Sequence, residues 1–412
     1  MITVLNPSYS SSSDSTLTTK SEALAREATQ KVLQQKPGGL KGIEASLEAL
    51  SVMPEELNLF KNRHSRFVVV GIGGSSLGIQ VLAEMKQASN FQFIDNVDAY
   101  HFEQLFETMP EPEKTGWLFI SKSGGTIETL TALEFIEQEL STKNISLSEH
   151  SLVITEKKDS DLYRWSQQKQ VLFFEMPVSV GGRFSVLTEV GLIPAWLMGF
   201  DMKALRTGAM EAYNASDVLA KVTSETLKSW QREEWITVLW SYSSRLKSFG
   251  LWWQQLWAES LAKKVDIQGQ PAARVSTPLP LIGATDQHSV LQQVMEGARD
   301  KLVVFLRVQE AEAGKSLLQK SQMRETALLQ GRNMGTLLRA EAEAIQQALS
   351  EVQVSNISLQ ISDVRDQSVG YLFMFFQLWV MCLGEAIQIN TFDQPGVELG
   401  KVKTKKILSG QL

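Results

Sequence analysis

Val68-Val-Val-Gly71-Ile-Gly73-Gly74-Ser75-Ser76-Leu77-Gly78 is the stretch on which the fold turns. Three β-branched residues are halted by glycines, and two serines follow before an apolar-periodic segment. Such a run reads as strand, tight turn and helix start. Glycines let a backbone approach a ligand closely. A helix N-terminus offers unpaired N–H groups and partial positive charge, which suits an anion, phosphate above all. The full G-x-G-x-x-G of a dinucleotide site is missing: Gly71 and Gly73 fit, but the third position is Ser76. The stretch also lacks the Gly-Lys-Ser/Thr of a Walker loop. Small hydroxyl side chains suit a compact phosphomonoester, although a strand–helix junction without a ligand has the same form.

Working outward, apolar β-type runs near 66–73, 97–102, 117–122, 152–156 and 171–176 alternate with helical patterns such as 75–87 and 126–140. This alternation predicts a parallel sheet covered on both faces. Further strands are expected near 235–242, 301–308 and 357–363, with helices at 251–264, 287–299, 336–350 and 368–388. The chain therefore reads as two α/β units, the first ending around 180–200. Ligands in such sheets bind beyond the carboxyl ends of the strands, where the Gly71–Gly78 loop falls.

The 412 residues are enough for two cores, and 43% hydrophobic with 21% charged residues is the composition of a soluble globular protein. A net charge of −6 argues against a general nucleic-acid binder. The single cysteine, Cys382, rules out an intrachain disulfide, and His64, His101, His150 and His288 are too scattered for a zinc pattern. No signal peptide is visible, so a cytoplasmic location is expected. The serine-rich residues 9–16 are expected to be mobile. Gly370 to Gly384 is almost wholly apolar, but it is short for a membrane span, contains Gln377 and runs into Glu385. A buried central or interface helix is the better reading.

Several segments could carry chemistry. Ser121-Lys122-Ser123-Gly124-Gly125-Thr126 repeats the pattern of hydroxyls and glycines between a strand and a helix. Two such loops at neighbouring strand ends would converge on one phosphate, with the hydroxyls and helix amides as donors. Ser123 or Thr126 would serve equally as a simple helix cap. Gly181-Gly182-Arg183 can hold a guanidinium close to an oxyanion, but alone it fits a surface turn. Glu259 lies in an aromatic-rich helical pattern. It could act as a base, or merely pair with Lys263 four residues on. His288 in Asp286-Gln287-His288-Ser289 can exchange a proton near neutral pH, though a lone histidine is more often structural. Lys401, behind Asp393-Gln394-Pro395-Gly396-Val397-Glu398-Leu399-Gly400, is a charge donor or a solvated lysine.

Taken together and in this order, the segments Gly71–Gly78, Ser121–Thr126, Gly181–Ser185, Glu259-Ser260, Gln287–Ser289 and Gln394–Lys401 resemble the glucose-6-phosphate isomerase (phosphoglucose isomerase) family. The resemblance implies two SIS-type doubly wound, mainly parallel sheets flanked by helices. Its implied divisions are a flexible segment at 1–20, α/β domains at 21–200 and 201–390, and a catalytic C-terminal segment at 391–412. It implies reversible conversion of glucose 6-phosphate to fructose 6-phosphate through a cis-enediol in glycolysis and gluconeogenesis, with no cofactor and no metal.

By motif position, Ser75, Ser121, Ser123 and Thr126 would hold the phosphate of the hexose 6-phosphate, with Gly74 and Lys122 alongside. Glu259 would shuttle the proton between C1 and C2, and Arg183 would stabilise the enediolate. His288 and Lys401 would open the sugar ring, and Gln255 and Gln394 would line the pocket. A homodimer is implied, with His288 supplied across the interface. The family's Glu-Ser-x-Gly-Lys has Ala262 in place of its glycine here. A non-catalytic SIS-type sugar-phosphate regulator is the alternative. It would need both hydroxyl loops but not Glu259, His288 and Lys401.

Overall fold

The computed structural model of the chain describes residues 1–9 and 15–411. Ten strands form two five-stranded sheets among the described residues. In the first, β2 (Arg66–Val70), β3 (Phe91–Ile94), β4 (Thr115–Ile120), β5 (Ser151–Thr155) and β6 (Leu172–Glu175) are all parallel, in the order β3-β2-β4-β5-β6. In the second, β7 (Ile236–Tyr242), β8 (Thr277–Ile282), β9 (Lys301–Val308) and β10 (Ser355–Ile361) repeat that order from the opposite edge, as β10-β9-β7-β8. The fifth position is taken by β1 (Thr3–Tyr9), which runs antiparallel to β10. These are two doubly wound, mainly parallel sheets, as the alternation of strands and helices predicts.

Strands β4, β5 and β9 are buried along their whole length, so both faces of each sheet must be covered. The outer faces make separate clusters, one around Trp117, Phe119 and Val153, the other around Trp240, Val303 and Phe305. The inner faces share one core, which joins Leu118, Ile120 and Ile154 to Leu239, Val304 and Leu359. At its centre runs the helix Asp366–Ala386, in whose most apolar 18-residue window 94% of residues are buried within the chain. Glycines bring this helix against Met202–Glu211. A Cβ on Gly208 would lie 1.7 Å from the Gln367 carbonyl oxygen, and one on Gly370 would lie 1.9 Å from that of Leu205.

The structure corrects four sequence expectations. The first twenty residues are not all a flexible segment: Thr3–Tyr9 is an edge strand, and Ser15 opens a helix to Gln35 that sends Ala25, Ala28 and Val32 into the shared core. This N-terminal part packs with the second sheet, not the first. Of the residues expected to be mobile, 10–14 lie outside the described residues. The strand expected at 97–102 is the helix Ala99–Thr108, because Asp98 accepts from the amides of Tyr100 and His101 and caps it. The helix expected at 287–299 is a 3₁₀ turn, Thr285–His288, followed by the short helix Leu291–Glu296.

Strand β8 carries a weak strand signal in the sequence, because it contains Pro278 and Pro280. It sits at the sheet edge. The amide of Thr277 donates to the Trp235 carbonyl just before β7 and that of Gly283 to the Ser241 carbonyl within it, so the intervening prolines turn their missing donors outward.

Candidate active site

Strands β2 and β4 are neighbours, and the connection reverses between them, so a crevice opens at their carboxyl ends. The two hydroxyl loops flank it. After β2 the chain makes a 3₁₀ turn, Gly73–Ser75, and enters the helix Leu77–Lys86. Gly73 has φ +59, a left-handed conformation that favours glycine. Gly74 serves a different need: a Cβ there would lie 2.2 Å from the Gly182 carbonyl carbon and 2.7 Å from the Arg183 nitrogen. The first loop is thus pressed directly on the third, and Ser185 Oγ donates to both Gly74 O at 3.2 Å and Gly182 O at 2.7 Å. Ser75 is half-buried, and its hydroxyl has no hydrogen-bond partner among the described residues.

After β4, Ser121 Oγ and Thr126 Oγ1 lie 2.8 Å apart, and Ser123 Oγ is 3.4 Å from Thr126 Oγ1. The amides of Gly124 and Gly125 donate to Ser121 Oγ and Ser123 Oγ at 3.2 and 3.3 Å. Thr126 is the N-cap residue of the helix Ile127–Thr142, yet its side chain makes no cap hydrogen bond. The hydroxyls therefore cluster with one another above an uncapped helix N-terminus, an arrangement suited to an anion. Lys122 turns its ammonium away to Val178 O at 3.1 Å, near the buried Glu156, and burial lowers its pKa.

The helix Lys247–Leu261 supplies the next groups. Trp252, Trp253, Leu256 and Trp257 anchor it in the core, which leaves Gln255 and Glu259, one turn apart, on the face toward the crevice. Gln255 Nε2 donates to Glu259 Oε1 at 3.0 Å, while Gln255 Oε1 is buried without a partner among the described residues. Gln255 also reaches the first loop, since a Cβ on Gly73 would stand 3.0 Å from its Nε2.

Arg183 is 2% exposed. Its Nε donates to Ser260 Oγ at 2.7 Å, and its NH1 lies 3.5 Å from Glu259 Oε2. Its NH2 donates to the carbonyls of Thr391 and Asp393. Burial lowers the guanidinium pKa, and Glu259 opposes that shift. In the second sheet, Arg307 near the end of β9 is tied to Glu312 at 2.7 Å and to Glu343 at 3.1 Å.

The sequence pattern of phosphoglucose isomerase matches residues 60–411. The chain belongs to the phosphoglucose isomerase family. It is 33% identical over 373 residues to the glucose-6-phosphate isomerase of Campylobacter jejuni, covering 88% of this chain and 90% of that one. With the enzyme of the same name from Thermus thermophilus it shares 35% identity over 352 residues, 84% of either chain. Among solved structures, a hypothetical protein of Thermus thermophilus superposes with a TM-score of 0.82 at 31% identity, covering 99% of this chain and all of that one. A glucose-6-phosphate isomerase from Chlamydia trachomatis matches in fold, with a TM-score of 0.74 at 21% identity over 96% of this chain and 83% of that one.

Within this phosphoglucose isomerase fold, Gly73, Gly74, Gln255, Glu259 and Arg183 form one continuous set of contacts, with Ser75 next in the first loop and Ser121, Ser123 and Thr126 on the adjoining strand end. Gln394 directly follows the Asp393 carbonyl that Arg183 holds, and is exposed. His288 stands exposed at the end of its 3₁₀ turn, and Lys401 is exposed on the helix Glu398–Leu408. Ala262 has φ −75, so the backbone conformation at that position does not call for a glycine. Spacing suggested that Lys263 pairs with the Glu259 carboxylate. Its ammonium instead meets the Glu259 carbonyl at 2.9 Å and the Asp393 carboxylate at 2.9 Å. Ser260 was missed as a partner of Arg183 because adjacent helix positions give no sequence signal for a contact 77 residues away.

Proposed function

We propose that the crevice between the β2 and β4 loops binds a hexose 6-phosphate and that the chain interconverts glucose 6-phosphate and fructose 6-phosphate. The observation that carries this reading is the Arg183–Glu259 pair, 3.5 Å apart and joined through Gln255 and Gly74 to the first hydroxyl loop. Ser75, Ser121, Ser123 and Thr126 donate to the phosphate, with the backbone of Gly74 and Lys122 beside them. Held by this remote group, the sugar presents C1 and C2 to Glu259.

Glu259 takes the proton from C2 of the open-chain aldose, and the electron pair moves through C1 to leave an enediolate with its charge on O1. The Arg183 cation stabilises that charge. A hydroxyl proton passes from O2 to O1, and Glu259 returns its proton to C1. The steps balance with no change of oxidation state overall. Gln255 Oε1 and Gln394 have acceptors for sugar hydroxyls. Ring opening falls to His288 and Lys401. Their exposure on a single chain supports a homodimer in which His288 serves the partner's crevice. A cytoplasmic location accords with a hexose phosphate substrate.

A phosphate-only sensor would have no use for a carboxylate facing a buried guanidinium. The test is formation of glucose 6-phosphate from fructose 6-phosphate, followed with a coupling dehydrogenase, for the wild type and Glu259→Gln. The wild type should turn over, and the variant should lose about 10²–10⁴-fold in kcat while still binding fructose 6-phosphate. An inactive wild type that binds the sugar phosphate would favour the sensor. A variant of near-normal rate would remove Glu259 as the base.

A further inference from the structure

Lys263 lies two residues beyond the helix that carries Glu259, and its side chain is 5% exposed. A buried ammonium is costly unless it is paired and hydrogen-bonded. Here all three of its donors have acceptors: the Glu259 carbonyl at 2.9 Å, the Asp393 carboxylate at 2.9 Å and the Asp393 carbonyl. The Glu259 carbonyl belongs to the last turn of its helix, where carbonyls lack intrahelical partners and cations are favourable.

The same short segment, Thr391–Asp393, is gripped a second time by Arg183 through the carbonyls of Thr391 and Asp393. Both cations therefore touch the segment on one side and Glu259 on the other, Arg183 at the carboxylate and Lys263 at the backbone. Burial lowers the Lys263 pKa and Asp393 opposes that shift, which ties the lysine charge to this segment.

We propose that Lys263 is a positioning residue whose ammonium latches the Thr391–Asp393 segment, and with it Gln394 and the helix bearing Lys401, onto the end of the helix bearing Glu259. The proposal rests on the isomerase reading above. Without the latch the polar ties of the segment to this corner fall to Arg183, beside the packing of Phe392 on Phe184, and the guanidinium shifts with the segment, away from Glu259. The binding loops at Ser75 and Ser121–Thr126 do not touch Lys263, so the phosphate should still be held.

The experiment uses the full chain with Lys263→Met, Lys263→Arg and Asp393→Asn. Asp393 has a half-exposed side chain, so its variant keeps the core intact. Lys263→Met should lower kcat for fructose 6-phosphate by about 10–100-fold, the scale of a displacement near 1 Å. Its KM should stay within about threefold, since the hydroxyl loops that hold the phosphate do not touch Lys263. Lys263→Arg should recover most of the rate, and Asp393→Asn should fall between. Amide hydrogen exchange over 391–401 should speed up in Lys263→Met. The latch is overturned if Lys263→Met keeps kcat within about twofold, if Lys263→Arg is no better than Lys263→Met, or if exchange over 391–401 is unchanged. A wild type without isomerase activity would sink the functional reading instead, and hydrogen exchange would still decide the latch.

Discussion

Arg183 donates through Nε to the hydroxyl of Ser260, the residue that follows Glu259, at 2.7 Å. That bond fixes the plane of the guanidinium, so that NH1 faces Glu259 while NH2 reaches the Thr391 and Asp393 carbonyls. A lysine cannot copy this fork: it has one point of charge and no planar set of donors. Arg183→Lys should lower kcat by about 10²–10³-fold, the usual cost of removing one preorganised donor to developing charge. It should also lower the melting temperature, because backbone carbonyls lose their partners. The coupled assay and a thermal melt on one preparation check both.

Gly74→Ala should injure the site without touching a polar group. The added Cβ would sit 2.2 Å from the Gly182 carbonyl carbon and 2.3 Å from its oxygen, and both are backbone atoms. Relief requires the phosphate loop and the Arg183 loop to part. Overpacking of this sort costs about 1–3 kcal/mol. A raised KM for fructose 6-phosphate is expected alongside a lower urea midpoint. An alanine variant with wild-type KM and midpoint would show that the loops yield freely.

A pH dependence of stability should come from a place far from the crevice. His64 Nδ1 lies 2.7 Å from the Phe60 carbonyl, which can only accept, so Nδ1 carries the proton and Nε2 accepts from His150 Nδ1 at 3.0 Å. Burial pushes the His64 pKa down to about 4, and His150 is lowered for the same reason. In the unfolded chain these imidazoles take up protons at about pH 6.5. Between that value and about pH 4 the unfolded state binds more protons. Stability is therefore retained above the unfolded value and lost as the pH falls through this window. Urea unfolding at several pH values across it should show the decline, and His64→Asn should flatten the slope.

Much of the scaffold was legible because parallel strands buried on both faces are written as unbroken apolar runs. The apolar run at 301–308 has the same bounds as strand β9, Lys301–Val308. Strand β8 was hidden because proline normally argues against a strand, and only its edge position makes Pro278 and Pro280 harmless. Strand β1 was hidden because its partner is β10, at the far end of the chain. The site divided in the same way. Hydroxyls and glycines at strand ends announce themselves locally, so the Ser75 and Ser121–Thr126 loops could be found from their own residues. Arg183 looked like a surface arginine, because its burial depends on Ser260, Thr391 and Asp393, none of them near it in sequence. Lys263 looked like an i,i+4 partner for a carboxylate, since spacing cannot distinguish a side-chain oxygen from a main-chain one.

Strand β1 also sets a timetable for synthesis. Thr3 stands opposite Gln360, a separation of 357 residues. A ribosome that has delivered Thr3–Tyr9 must carry on as far as Ser355–Ile361 before its partner exists. Until then the backbone groups of Thr3–Tyr9 lack the partner they have in the fold, and a β10 that β1 has not yet covered leaves its outer edge open to strands from other chains. Closing that edge is among the most non-local events in the molecule, the kind that slows folding. Deleting the first nine residues should therefore lower the yield of soluble protein more than it lowers the specific activity of what folds.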